Sequence, residues 1–91
     1  MSKKTIVQVT WLDAAHQDDD MEEKEIRGLQ PLKMVSFGLL MVEDDERVII
    51  SGHVGTTPSK AGETRVDYRD TLVIPRKAVL SIDVSGELEV E

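Results

Sequence analysis

The stretch at residues 31–54, PLKMVSFGLLMVEDDERVIISGHV, decides the fold. Two apolar runs, at residues 34–42 and 48–50, flank an acidic knot of Glu43, Asp44, Asp45 and Glu46. Apolar runs of strand length joined by a charged turn read as a β-hairpin. In the second strand Val48, Ile50, Gly52 and Val54 are expected to face inward, and Arg47, Ile49, Ser51 and His53 outward. The first strand is apolar on both faces at residues 39–42. One side fills a core, so the other must be covered by a neighbouring element or another subunit.

Toward the C-terminus a second pair, TLVIPRKAVLSIDV at residues 71–84, is built to pack against this hairpin. Strand four begins near Thr64, with Val66, Tyr68, Leu72 and Ile74 on one face and Asp70 interrupting it. Asp70, alone on that inward face, is the one residue to check for a perturbed pKa, although such an aspartate more often bonds backbone N–H groups at a strand bend. Arg65, Asp67, Arg69 and Thr71 form the polar face, where cross-strand ion pairs are expected. Pro75 ends the strand because it has no N–H to donate. Arg76, Lys77 and Ala78 make a tight turn, and strand five follows at residues 79–84 with Leu80, Ile82 and Val84 inward. Ser85 and Gly86 close it, which leaves residues 85–91 as a frayed tail.

Toward the N-terminus, Val7, Val9 and Trp11 alternate with Gln8 and Thr10, giving a half-buried first strand at residues 5–11. Lys3 and Lys4 before it read as solvated edge residues. An acidic insertion at residues 13–30 breaks the pattern. Asp18, Asp19 or Asp20 can cap a short helix through MEEKEIR, with Arg27 and Gly28 as its C-terminal signals. Only Met21, Ile26 and Leu29 are apolar there, so the insertion is expected to dock weakly or lie partly disordered. Its aspartate run beside His16 does not match a calcium loop and reads as a solvated acidic face. GTTPSKAG at residues 55–62 is a flexible loop, extending to residue 63, and lacks the Gly-Lys-Ser/Thr order of a phosphate loop. Five short strands, little helix and a tight last turn predict an all-β chain, a small, strongly bent five-stranded barrel spanning 1–91 as one domain.

Composition narrows the function. A domain of 91 residues buries only about 60–65% of its unfolded surface, and self-association is a common way to bury more. A net charge of −7 opposes broad binding to nucleic-acid phosphates but leaves room for a local basic site. The absence of cysteine excludes disulfides and thiolate chemistry. Without a membrane span or an apolar leader, the reading is a cytoplasmic protein. Aromatic residues number only Trp11, Phe37 and Tyr68, too few for an extended stacking platform. No Ser/His/Asp spacing, metal-ligand cluster or apolar carboxylate pair is present, so neither an enzyme nor a cofactor is expected.

The hairpin resembles the first motif of Sm-like proteins, most closely the bacterial Hfq type. Gly38, Leu40, Asp44 and the run Val48, Ile49, Ile50 meet its spacing. Ile74, Val79 and Ile82 match the aliphatic positions of the second motif, and Arg76, Lys77 and Ala78 echo its basic turn. The combination of WLDA at residues 11–14, SFG at 36–38 and IPRKAV at 74–79 also resembles small phage-encoded proteins, among them an Sm-like group associated with marine cyanophages. The chain departs from the family where Glu46 or Arg47 replaces the stacking residue of the first turn, and where Pro75 opens the second.

The resemblance implies a homo-oligomeric ring of about five to seven copies, joined strand four to strand five, with Leu39, Met41, Val73 and Val79 at the interface. It implies a pore-side site for single-stranded RNA at Arg76, Lys77, Asp44 and Arg47. The alternative is a phage structural or adaptor barrel that binds only protein, host or phage, working in the host cytoplasm. In that case the acidic turn pairs with the pore-side bases instead.

Overall fold

The alternation just described sets the strands, and their lengths set the shape. The computed structural model describes residues 2–58, 60 and 62–90. Five antiparallel strands form one sheet: β1 (Ser2–Asp13), β2 (Leu32–Glu43), β3 (Arg47–Pro58), β4 (Thr64–Pro75) and β5 (Val79–Val90). Their order across the sheet is β4-β3-β2-β1-β5. A short helix, α1 (Glu23–Arg27), interrupts the β1–β2 connection, and a 3-10 turn (Arg76–Ala78) joins β4 to β5. No ladder joins the outer strands β4 and β5, so the sheet is open.

The core is small and lies on one face. Val7 and Val9 of β1, Val48 and Ile50 of β3, and Ile74 of β4 are fully or almost fully buried. Trp11, Leu40, Leu72, Ala78, Val79 and Ile82 pack around them. The expected inward faces of β1 and of the first half of β3 are the observed ones.

Strand β2 bends between two neighbours. Its first part pairs with β1, from Asp13↔Leu32 to Ile6↔Leu39, and its last part with β3, from Leu39↔Ser51 to Glu43↔Val48. Gly38 sits where the bend brings backbones together. A Cβ built there would lie 2.8 Å from the Ser51 carbonyl oxygen, so any larger residue must push the strands apart. The same approach covers Ser51, which is buried rather than outward-facing and shares a 2.8 Å hydroxyl hydrogen bond with Thr71.

The strands run well past this core. A compact chain of this length has a radius of gyration of about 12 Å, whereas this one measures 18.0 Å with extents of 63 × 25 × 21 Å. Beyond Ser51, β3 pairs only with β4, from His53↔Arg69 to Pro58↔Thr64. Beyond Ile6, β1 pairs only with β5, from Thr5↔Glu87 to Ser2↔Val90. Two segments are therefore corrected. Residues 55–58 of the expected flexible loop at 55–63 are strand, with Ser59 and Ala61 outside the described residues. The expected frayed tail at 85–91 is the second half of β5, ending on a buried Val90, with Glu91 outside the described residues.

Strand β5 also departs from simple alternation. Register shifts against β1 fall between Ile6/Val7 and between Thr10/Trp11, where β5 carries one extra residue each time. Ile82 keeps its expected place against the core, but Leu80 and Val84 are exposed, Val84 to 70%. In the insertion, α1 ends at Gly28 as expected, but Glu22 rather than an aspartate holds the N-cap position, without a side-chain capping bond. None of its residues is buried.

Candidate interaction surfaces

Four residues expected to handle RNA converge at one end of the sheet, where the β2–β3 turn meets the 3-10 turn. Asp44 organises the first of these. Its Oδ1 accepts the backbone N–H groups of Glu46 and Arg47, both at 2.9 Å, and its own N–H donates to the Arg47 carbonyl at 3.0 Å. These backbone donors, with the Arg47 guanidinium 3.5 Å from Oδ2, hold its carboxyl below the usual carboxylate range. Asp44 thus shapes the turn with its side chain. Arg47 is the ion partner of that carboxylate.

The second turn docks on the first. The Arg76 backbone N–H donates to the Glu46 carbonyl at 2.9 Å, and its guanidinium Nη1 donates to Glu43 Oε2 at 2.9 Å. A shallow hollow of about 260 Å³ lies between Glu43, Asp44, Asp45 and Arg76. Lys77 is exposed and, among the described residues, makes no ion pair. Four carboxylates, of Glu43, Asp44, Asp45 and Glu46, stand here against the cations of Arg47, Arg76 and Lys77. An incoming phosphate would compete with Glu43 for Arg76.

The four expected interface residues separate. Leu39 is buried within its own chain, and Val79 packs against its own core. Met41 is half-buried at the β2 irregularity opposite β3. Val73, on the outer strand β4, is 58% exposed. Leu80 and Val84, on the other outer strand, are exposed too. Both open edges of the sheet therefore carry apolar side chains that this chain leaves uncovered.

Two further features lie outside those expectations. On the face opposite the core, Ile6, Phe37, Leu39, Val54 and Leu88 surround a hollow of about 260 Å³ over Gly38 and Gly52. The two-faced apolar strand signalled the need for such cover, and residues of the same chain supply part of it. Asp70, expected alone on the inward face of β4, instead takes a left-handed backbone (φ 56°) opposite Gly52. Its carboxylate turns out and meets His53 Nε2 at 2.7 Å. Aspartate is one of the few residues that visit this conformation, and no buried carboxylate results.

A hollow of about 600 Å³ lies within the insertion and is lined by alanines, Asp19, Asp20 and the apolar Met21, Ile26 and Leu29. His16 pairs with Asp18 at 2.7 Å beside it. Among the described residues no group of three or more His, Asp or Glu side chains is placed to hold a metal ion. Among the described residues no helix is long and apolar enough to cross a membrane. No protein-family model, curated protein or solved structure matches the chain.

Proposed function

We propose that this chain is a ring-forming small barrel of the Sm-like kind, an interaction subunit whose copies join β4 of one to β5 of the next. The observation that carries this reading is the pair of unpaired sheet edges, one bearing exposed Val73 and the other exposed Leu80 and Val84. Open edges with apolar side chains are templates for further strand pairing, and a closed ring removes both at once.

Such a ring would repeat Arg76 and Lys77 around its pore, the arrangement through which single-stranded RNA would be held. The bond from Arg76 to Glu43, among four carboxylates, favours the second use, a phage structural or adaptor role in which the turns meet protein. Light scattering separates assembly from its absence: the mass should be a multiple of the 10.2 kDa chain. A monomer at micromolar concentration would overturn the reading. A low-salt titration with a short uridine- or adenosine-rich strand then divides the two uses. Binding that Arg76→Ala with Lys77→Ala abolishes would establish the RNA role, and no binding would leave the protein role.

A further inference from the structure

The β3–β4 ladder misses a rung at the edge of the core. Pairing passes from Ser51↔Thr71 to His53↔Arg69, and the intervening Gly52 and Asp70 do not pair. Ser51 is also the last residue of β3 to pair with β2, opposite Leu39. Third-strand support and one rung are therefore lost at the same place. Beyond it a two-stranded arm, marginal in water by itself, runs out to Pro58 and returns from Thr64.

The two unpaired residues differ in what they supply. A Cβ built on Gly52 would meet only the Asp70 Cβ at 3.5 Å and the Asp70 carbonyl oxygen at 3.9 Å, both ordinary contacts. Gly52 does not take a left-handed φ either. Unlike Gly38, it is required by neither space nor handedness, and backbone freedom is what it contributes. Asp70 takes φ 56°, a conformation that persists where the surroundings hold it. It is held by His53, whose Nε2 lies 2.7 Å from Asp70 Oδ2 across the ribbon. The hydroxyl bond of Ser51 to Thr71, 2.8 Å, fastens the core side of the gap.

Room to bend lies on both sides. The apolar hollow over Gly38 and Gly52 lies between Val54 and the side chains of Ile6, Phe37 and Leu88. A second hollow, about 510 Å³, is lined by His53, Val54, Gly55, Arg69 and Asp70. From Gly52 to Pro58 and from Thr64 to Asp70 no residue is buried, so no packed side chain resists a change of angle. We propose that Gly52 and Asp70 form a hinge on which the β3–β4 arm swings, and that the His53–Asp70 pair is the clasp that holds it. A few residues between better-supported elements absorb the backbone change in such motions. The swing sets the mouth of the apolar hollow, because Val54 moves with the arm while Ile6, Phe37 and Leu88 belong to other strands. The device lies within one chain and does not depend on the assembly proposed above.

Paired spin labels read the swing directly. The chain has no cysteine, so Thr57→Cys on the arm and Lys33→Cys on β2, both exposed, can be labelled and diluted with unlabelled chain. The labelled parent should give one narrow distance distribution. His53→Ala should broaden it, and Gly52→Ala added to His53→Ala should narrow it again. Arg65→Ala, which breaks a second ion pair on the arm, to Asp67 at 2.9 Å, should leave the distribution as in the parent. A parent already broad, or a His53→Ala variant as narrow as the parent, would overturn the clasp. Broadening by Arg65→Ala equal to that by His53→Ala, or broadening that Gly52→Ala fails to reverse, would overturn the hinge.

Discussion

The two halves of β3 belong to one strand and share little else. From Arg47 to Ser51 the strand lies between β2 and β4, and Val48, Ile50 and Ser51 are buried. From His53 to Pro58 it has β4 alone, and only Val54 is more than marginally covered. Hydrogen bonds along the β3–β4 ladder continue through both halves, so they do not make the difference. Neighbours on both sides and apolar burial do. The residues RVIIS and GHVGTTP already carry that distinction, because the second set has little to bury. Stability in this chain is therefore concentrated around a few side chains, while the β3 extension buries little.

The largest effect should come from emptying the core. Ile74→Ala removes a fully buried side chain and should cost about 2–5 kcal/mol in urea unfolding. Ile26→Ala, at a half-exposed site in the insertion, should stay within about 0.5 kcal/mol. Equal costs would show that the insertion is as much part of the folded unit as the core.

A smaller contrast separates two glycines. Gly38→Ala forces a Cβ against the Ser51 carbonyl and should destabilise by about 1–3 kcal/mol. Gly55→Ala, on the β3–β4 ribbon with nothing within 4 Å of the added atom, should be neutral within about 0.5 kcal/mol. A neutral Gly38→Ala would mean that the β2 bend is looser than its geometry.

The smallest effect concerns the turn that closes the core hairpin. Asp44 has a lowered folded-state pKa, so its contribution is present above the unfolded carboxylate value and is lost as pH falls through the folded one. Thermal melts of the parent should soften below about pH 4, and Asp44→Asn should flatten that acid limb while changing the neutral-pH melt little. An unchanged acid limb would place the pH sensitivity elsewhere.

Much of the fold was legible because alternation is local. Val7, Val9, Val48, Ile50 and Ile74 were readable as inward residues from period two alone, and Pro75 marked its own boundary. What escaped reading depends on approach and register. The burial of Ser51 follows from the nearness of β2 at Gly38, which single-strand alternation does not contain. The exposure of Leu80 follows from its being the extra residue of β5, which alternation does not show, whereas Val84 keeps the face of Ile82 and lies exposed on the outer strand. The strand character of residues 87–90 comes from pairing with β1, across almost the whole chain. At the candidate site, the acidic and basic residues were readable as neighbours, but the bond of Arg76 to Glu43 required the two turns to dock. The left-handed Asp70 had a signal, a lone aspartate among apolar neighbours, but its partner His53 lies across the ribbon.

The irregularities of β5 also bear on which changes this strand can absorb. Ile82 and Leu88 are six residues apart, so unbroken alternation would put them on one face. Instead Ile82 packs on the core and Leu88 lines the opposite hollow with Ile6 and Phe37, because the shift near Ser85 lies between them. One strand thus fastens both faces of the sheet, and spacing decides which residue serves which face. Replacing Ser85 by another polar residue leaves that spacing untouched. Deleting it would exchange the faces of everything that follows, so at this position a missing residue matters far more than a changed one.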